Sequence, residues 1–253
     1  MCLILFALAD HPKYKLIVAA NRDEFYARQT AVAGYWPDHP WILGGRDLEA
    51  GGTWMGMTRQ GKIAMITNYR DPLHIDPNAP SRGNLVSDYL IDSVRPYDYL
   101  KSIQSRAKEY NGFNLLVGDV GELFYFSNYQ DGIQKIQPGL HGLSNHLLET
   151  PWPKITRGKE KFKFLLRQEE ITSQALLDVL YDDRQAADDQ LPDTGVGTER
   201  ERSLSSMFIK TGNYGTRCST VVLVSGQNEV IFEERDYDLS TYDFTTQTFH
   251  FKT

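Results

Sequence analysis

The sequence opens with two apolar runs separated by a short polar break, and this pattern constrains the fold more than any other feature. Residues 3–9 are apolar throughout, residues 14–20 are nearly so, and Asp10-His11-Pro12-Lys13 lies between them. Aspartate and proline favour turns, so the pattern predicts an antiparallel hairpin. A first strand that is apolar on both faces is typical of a central strand covered on both sides.

A cysteine directly follows the initiating methionine. Small second residues permit removal of Met1, which would make Cys2 the N-terminal residue. Cys2 would then carry a thiol nucleophile and a free amine that can serve as its base. The sequence therefore raises the possibility of an N-terminal nucleophile.

The predicted hairpin places specific residues next to this cysteine. With a four-residue turn, antiparallel pairing brings Cys2 opposite Asn21. Side chains two apart on a strand share a face, so we expect Asn21 and Asp23 on the Cys2 face, with Arg22 just beside it. A register shift of one residue would reverse the faces.

Composition excludes several classes of protein. The chain has 253 residues, a net charge of -6 and only two cysteines. An acidic balance argues against general affinity for nucleic acid or anionic membranes, and two cysteines imply no disulfide framework. The apolar start lacks a basic leader, and no run reaches transmembrane length. We expect a cytoplasmic protein forming one domain over residues 1–253, with its oligomeric state left open.

The remaining periodicity alternates between strands and helices. Strand patterns occupy 53–67, 113–136 and 218–251, whereas 81–109 and 154–181 have helical patterns. This order predicts an α+β fold in which two antiparallel sheets pack together between outer helices, a four-layer αββα sandwich. We interpret the glycine pairs at 44–45 and 51–52 as tight turns, 25–40 and 182–202 as irregular, and 154–167 as a basic helix with a solvated outer face.

Eight short motifs, which follow one another along the chain, carry a family resemblance. They are Cys2 after Met1, Asn21-Arg22-Asp23-Glu24, Gly51-Gly52-Thr53-Trp54, Thr67-Asn68-Tyr69-Arg70, Ser81-Arg82-Gly83, Leu143-Ser144-Asn145-His146, Thr150-Pro151-Trp152-Pro153-Lys154 and Tyr214-Gly215-Thr216-Arg217. Together they resemble the NRDE family, also called the transport and Golgi organisation protein 2 family. The resemblance implies a link to haem trafficking and to lipid and acyl-CoA metabolism, with no settled activity.

The arrangement is also distantly similar to the N-terminal nucleophile hydrolases that cleave amide bonds in bile salts and penicillin V. Those enzymes use an N-terminal cysteine, an arginine and an aspartate after the second strand, two oxyanion-hole asparagines and a late arginine. The matching positions here are Cys2, Arg22, Asp23, Asn68, Asn145 and Arg217. One departure is that Arg22 and Asp23 are adjacent, whereas the hydrolases usually place these two residues apart.

This second resemblance implies a role for each matching residue. Asp23 would orient the ammonium group of processed Cys2, and Arg22 or Arg217 would favour thiolate over thiol. Asn68 and Asn145 would donate to the tetrahedral oxyanion, each contributing ~3 kcal/mol. Plainer roles are also open, since Cys2 can be a packed strand residue and the asparagines can cap loops.

Two functions follow from these observations. The first is an N-terminal cysteine amide hydrolase that transfers the acyl group of a small acylated amide to water and requires no cofactor. The alternative is a non-catalytic carrier or regulator that binds haem or an acyl-CoA or lipid ligand in the same pocket. Both predict a small-molecule partner, and the histidines show no metal-ligand spacing.

Overall fold

The two N-terminal apolar runs form adjacent interior strands of a six-stranded antiparallel sheet. The structure is a computed structural model that describes residues 2–253, so the predicted removal of Met1 lies outside the described residues. The sheet has the order β10-β1-β2-β11-β12-β13. Its strands are β1 (Cys2–Leu8), β2 (Tyr14–Phe25), β10 (Gly139–Leu143), β11 (Tyr214–Ser225), β12 (Glu229–Tyr237) and β13 (Phe244–Lys252).

A second antiparallel sheet of seven strands packs against the first. It follows chain order from β3 to β9. Its strands are β3 (Thr30–Tyr35), β4 (Ile42–Asp47), β5 (Met55–Thr58), β6 (Lys62–Asn68), β7 (Phe113–Asp119), β8 (Leu123–Ser127) and β9 (Gln134–Lys135). The core between the sheets includes Ile4 and Phe6 from β1 and Met57 and Met65 from the second sheet.

Helices cover the outer face of each sheet. The helices are α1 (Asn84–Ile91), α2 (Pro96–Arg106), α3 (Pro153–Leu166), α4 (Ser173–Leu180) and α5 (Thr198–Ser203). Helices α1 and α2 pack on the second sheet, and α3 and α4 pack on the first. The predicted four-layer αββα sandwich is therefore confirmed. None of the helices in residues 2–253 is long and apolar enough to cross a membrane.

Strand β1 is apolar at nearly every position because both of its faces are buried. Ile4, Phe6 and Leu8 face the inter-sheet core, whereas Leu3 and Leu5 face α3 and α4. Burying both faces of a strand needs continuous rather than alternating hydrophobicity. The prediction of a covered central strand is confirmed.

The predicted register of the first hairpin is wrong by one residue. Cys2 pairs with Arg22, not with Asn21. Ala9 adopts a left-handed backbone (φ 48°), and its N–H donates to the Lys15 carbonyl at 2.8 Å, so the turn takes up an additional residue. A shift of one residue exchanges the faces of a strand. Arg22 therefore shares the inner face with Cys2.

The glycine pair at 44–45 lies within β4 and does not form a turn. A Cβ atom on Gly45 would lie 2.3 Å from ring carbons of Trp54, and one on Gly44 would lie 2.6 Å from the Met55 carbonyl oxygen. Glycine is needed here because a ring and a neighbouring strand approach the backbone closely. Strand β3 thus replaces part of the predicted irregular segment 25–40, and β4 replaces the predicted turn at 44–45, whereas Gly51 does lie in a turn (φ 80°).

Candidate active site

Cys2 and Arg22 form a directly opposed pair on the inner face, at the ends of β1 and β2. The Arg22 guanidinium stacks 4.1 Å above the Trp54 ring, and the side chain is only 5% exposed. Its nearest carboxylate is that of Glu24, 4.0 Å away, and its Nη1 atom has no hydrogen-bond partner among residues 2–253. A buried cation with an unused donor therefore lies beside the thiol.

The thiol of Cys2 is in an environment that favours its neutral form. Burial raises the pKa of Cys2, and the nearby Asp23 carboxylate adds to the rise. The positive charge of Arg22 and the backbone N–H of Asp23 act in the opposite direction. As the chain stands, burial outweighs these two, so activation of this thiol needs a base.

The register that pairs Cys2 with Arg22 places Asp23 on the other face of β2, which corrects the expectation that Cys2 and Asp23 share a face, although both residues line the same cavity at the strand ends. Thr216 donates a hydrogen bond of 2.7 Å to Asp23 Oδ1, and the Tyr214 hydroxyl donates to the Asp23 carbonyl oxygen at 3.1 Å. Burial raises the pKa of Asp23, and the charge of Lys154 opposes that rise. Asp23 thus lies near the start of β1, on the face of the sheet that α3 covers.

Asn68 and Asn145 meet near Cys2 although they are far apart in sequence. Asn68 ends β6, and Asn145 follows β10; Asn145 Nδ2 donates to the Asn68 carbonyl oxygen at 3.0 Å. The Ser144 hydroxyl donates to the Cys2 carbonyl oxygen at 3.1 Å and also lies 3.2 Å from Asn145 Oδ1. These contacts join the first residue of β1 to the end of β6 in the other sheet.

Arg217 is not brought to Cys2. It occupies a bulge in β11, where the pairing with β2 shifts by one residue. Its Nη1 atom donates to backbone carbonyl oxygens of Phe25 and Arg28 at 3.1 Å and 2.8 Å. The guanidinium therefore holds the connection between β2 and β3, and Arg217 is absent from the lining of the Cys2 cavity.

A cavity of about 350 Å³ opens where the strand ends of the two sheets meet. Four of the predicted site residues line it, namely Cys2, Arg22, Asp23 and Asn68. Asn145 does not line it, and its Nδ2 atom already donates to the Asn68 carbonyl oxygen. A second cavity of about 270 Å³ shares Asn68 and Arg82 with the first, and Phe25, Ile75, Val196 and Leu204 contribute apolar surface to its wall. We call the first cavity the polar lobe and the second the apolar lobe. Together they form a cleft that suits a ligand with one polar and one apolar part.

A buried charge cluster, which the sequence analysis did not assign, lies behind Asp23. Lys154, in the first turn of α3, is 1% exposed, and its Nζ has no hydrogen-bond partner among the described residues. Arg70 forms an ion pair with Glu201 of α5 and stacks 4.8 Å from the Trp152 ring. Arg70 and Lys154 belong to motifs that served only to identify the family, and Glu201 lies in the segment that was interpreted as irregular.

Metal-ligating side chains do not cluster in the described part of the chain. No group of three or more His, Cys, Asp and Glu residues between positions 2 and 253 is placed to hold a metal ion.

The fold resembles those of solved structures of hydrolases. A C2A mutant of conjugated bile acid hydrolase from Clostridium perfringens matches with a TM-score of 0.53 and 8% identity, covering 100% of this chain and 97% of that one. The N-acylethanolamine-hydrolyzing acid amidase ortholog of Caenorhabditis elegans matches with a TM-score of 0.51 and 10% identity, covering 88% and 92%. At such low identity these likenesses establish the fold, which is that of N-terminal nucleophile hydrolases.

Sequence comparison then gives the family. The family profile described as Transport and Golgi organisation 2 matches residues 1–239, and the chain belongs to that family. It is 37% identical over 277 residues to the human Transport and Golgi organization protein 2 homolog, covering 98% of this chain and 100% of that protein. The mouse homolog is 35% identical with the same coverage, and the Drosophila melanogaster protein is 29% identical, covering 92% and 91%.

Proposed function

We propose that this protein is an N-terminal cysteine amide hydrolase that cleaves the C–N bond of a small acylated amide after Met1 is removed. The observation that carries the proposal is that Cys2, Arg22 and Asn68 line one cavity between the two sheets. Two structural neighbours, an N-acylethanolamine-hydrolyzing acid amidase and a conjugated bile acid hydrolase, support the same reaction class.

The proposed reaction assigns one step to each group. The free amine of processed Cys2 takes the thiol proton, and the sulfur attacks the carbonyl carbon to form a C–S bond. Asn68 donates to the oxyanion, and the carbonyl oxygen of Asn68 is held by Asn145. The leaving amine then takes the proton as the C–N bond breaks, and water hydrolyses the thioester to regenerate Cys2.

Arg22 has a specific part in this scheme. Its buried Nη1 atom has no partner among residues 2–253, and the side chain opposes Cys2 across the strand pair. A nearby positive charge stabilises thiolate relative to thiol. Arg217 is left out of the proposed machinery because its Nη1 atom donates to backbone carbonyl oxygens between β2 and β3, and its Nη2 atom donates to the Thr30 hydroxyl.

Removal of Met1 would act as the activating step. While Met1 is attached, the nitrogen of Cys2 is an amide and cannot accept a proton. Burial also raises the pKa of Cys2, so the thiol is neutral at physiological pH without a base. The unprocessed chain is therefore expected to be inactive.

The second candidate, a carrier that binds haem or an acyl-CoA or lipid ligand, is favoured by one observation. The apolar lobe lies directly beside the polar lobe and shares Asn68 and Arg82 with it. An amphipathic ligand can occupy such a cleft without any covalent step. This function needs neither the Cys2 thiol nor a free N-terminus.

The test uses protein whose intact mass shows that Met1 is absent. Release of free amine from a panel of acyl amides should be detectable and should be lost in Cys2→Ala. The matched control, Cys218→Ala, changes a buried thiol on β11 and should retain turnover. Absence of turnover in processed protein, together with saturable haem or acyl-CoA binding that persists in Cys2→Ala, would overturn the hydrolase and support the carrier.

A further inference from the structure

Two of the family motifs contain residues that the proposed reaction does not use, and side chains from these two motifs meet. The segments are residues 67–70, at the end of β6, and residues 144–146, directly after β10. The Tyr69 hydroxyl lies 2.9 Å from His146 Nε2, and His146 Nδ1 lies 2.9 Å from Thr150 Oγ1. Both ring nitrogens of His146 are therefore used in hydrogen bonds.

Three further hydrogen bonds join the same two segments. Thr67 Oγ1 donates to the Ser144 carbonyl oxygen at 2.5 Å. The Arg70 N–H donates to the Asn145 carbonyl oxygen at 2.8 Å, and Asn145 Nδ2 donates to the Asn68 carbonyl oxygen at 3.0 Å. Every residue of the first segment is therefore tied to the second, and such a network holds both backbones in one arrangement.

The side chain of Asn68 is the exception within this network. Its amide makes no hydrogen bond among residues 2–253, and Asn68 lines both lobes of the cleft. The next residue, Tyr69, is fixed at two more points, because its N–H donates to the Gly112 carbonyl oxygen and its ring stacks on Tyr129 with centroids 3.8 Å apart. A free donor on a fixed backbone is the arrangement that preorganised stabilisation of an oxyanion requires.

From this arrangement we infer that Tyr69 and His146 are positioning residues that fix the backbone of Asn68 and thereby aim its side-chain amide at the oxyanion formed at Cys2. The inference rests on the proposed function, because it concerns the oxyanion donor of that reaction. The two residues act through Asn68 and not on the reacting atoms. Their effect can still be large, since a misplacement of about 1 Å can cost as much as 10²-fold in rate.

The chemistry of His146 suits this link. Burial lowers the pKa of His146, which favours the neutral ring. A neutral imidazole has one donor and one acceptor nitrogen, and the hydroxyls of Tyr69 and Thr150 can each donate or accept. The link therefore forms with either tautomer. A glutamine amide also carries both a donor and an acceptor, whereas leucine carries neither.

The experiment measures the rate at which p-nitrophenyl acetate acylates Cys2 in processed protein, from the burst of p-nitrophenolate and the intact mass. The sulfur forms a C–S bond as the C–O bond to p-nitrophenolate breaks, and the thiol proton passes to the Cys2 amine. The better leaving group makes this step observable without turnover of an amide. Tyr69→Phe removes the hydroxyl but keeps the stacked ring, and it should slow acylation by about tenfold or more.

A double-mutant cycle separates positioning from a general structural effect. Asn68→Ala should slow acylation more than Tyr69→Phe does, because it removes the donor itself. Adding Tyr69→Phe to Asn68→Ala should then slow acylation no further, because no donor remains to be aimed. An equal slowing by Tyr69→Phe in both backgrounds, or no slowing in the parent protein, would overturn the inference.

Matched variants serve as controls. Tyr129→Phe removes the hydroxyl of the other ring in the stack, which donates to Asp71 at 2.6 Å, and it should leave the acylation rate unchanged. His146→Leu should slow acylation as Tyr69→Phe does, whereas His146→Gln should retain most of the rate. If Tyr69→Phe fails to fold, as judged by circular dichroism, an unchanged rate in folded His146→Leu protein would overturn the inference instead.

Amide hydrolysis distinguishes failure of the inference from failure of the proposed function. Where amides are turned over, Tyr69→Phe should lower kcat with little change in KM, since it weakens an interaction made in the transition state. If Cys2 is acylated but no amide is cleaved, and Tyr69→Phe slows acylation only when Asn68 is present, the hydrolase fails and the positioning role stands. If amides are cleaved and Tyr69→Phe changes neither rate, the hydrolase stands and the positioning role fails. Parent protein that shows neither acylation nor turnover would overturn both.

Discussion

Glu234 offers the sharpest test of the energetics between the two sheets. This residue of β12 is 1% exposed and faces the inter-sheet core. Its Oε1 atom accepts the backbone N–H of Ala33 from β3 at 2.6 Å, and Oε2 accepts the Thr220 hydroxyl at 3.0 Å. No ion pair with Glu234 occurs among residues 2–253. Burial raises the pKa of Glu234 to about 7, and the nearby Asp236 charge adds to the rise; the Ala33 N–H, the Thr220 hydroxyl and the Cys218 thiol only partly oppose it.

The sign and the magnitude of the effect of Glu234 on the free energy of unfolding follow from that pKa. In the unfolded chain the Glu234 carboxyl titrates near its ordinary value of 4.5, whereas in the folded chain it holds its proton up to about pH 7. Between these values the folded state binds more protons than the unfolded state, so the free energy of unfolding falls as pH rises. The full penalty above pH 7 is at most about 3 kcal/mol.

Glu234→Gln should remove this penalty while keeping the contacts. The amide oxygen can still accept the Ala33 N–H, and the amide nitrogen can donate to the Thr220 hydroxyl. At about pH 8 the variant should be more stable by up to about 3 kcal/mol, or an upward Tm shift of roughly 6–12 °C. At about pH 5 both proteins carry a neutral side chain, and the difference should be small.

Thermal unfolding followed by circular dichroism at both pH values measures the effect. The matched control is Glu233→Gln, whose carboxylate accepts a hydrogen bond of 2.7 Å from Ser173 at the other face of β12. Glu233→Gln should change the Tm only slightly at either pH value. Equal stability of Glu234→Gln and the parent protein at about pH 8 would refute the reasoning, because it would mean that the surrounding donors fully compensate the buried charge.

Two further predictions test the site and the fold. In processed protein, Arg22→Gln should slow iodoacetamide labelling of Cys2 at neutral pH by roughly three- to tenfold, because the nearby positive charge is lost. Arg217→Ala should not slow this labelling. The reverse result would return Arg217 to the site. Gly45→Ala should destabilise the fold by about 1–3 kcal/mol in denaturant unfolding, since the added methyl group would overlap an indole ring. Gly34→Ala, in the adjacent strand with no atom within 4 Å, should be nearly neutral, and similar losses in both would contradict the packing argument.

The sequence predicts the layers of this fold better than its strand registers. The continuous apolar run at residues 3–9 predicts a strand buried on both faces, and the order of strands and helices predicts the αββα sandwich. The same continuous hydrophobicity leaves the register open, because either face of β1 can pack inward. The register of the first hairpin depends on the backbone of Ala9, whose left-handed conformation is not apparent from its residue type.

Strands β3 and β4 were missed for a related reason. Gly44 and Gly45 have low strand propensity, so the pattern favours turns there. The need for glycine arises from Trp54, which lies over the strand and leaves no space for a Cβ atom. Such a tertiary constraint is invisible when residues are considered one at a time.

Site residues could be predicted where a family motif also matches a catalytic position of the hydrolases. Cys2, Asn68 and Asn145 could be matched with the hydrolase pattern, and the structure brings them together; their catalytic roles stay predictions. The inward direction of Lys154 could not be predicted, because a basic helix usually exposes all its lysines. The packing of α3 on β1 buries this first turn, and Lys154 is only 1% exposed there.

The hydrolase and the carrier differ in how they depend on the N-terminus. Either function can use the two-lobed cleft, so occupancy of the cleft alone does not separate them. With Met1 attached, position 2 offers no amine. With Met1 removed, an amine becomes available beside the Cys2 thiol, and only the hydrolase uses it. Activity that appears with processing would therefore distinguish a working N-terminal nucleophile from an inherited fold.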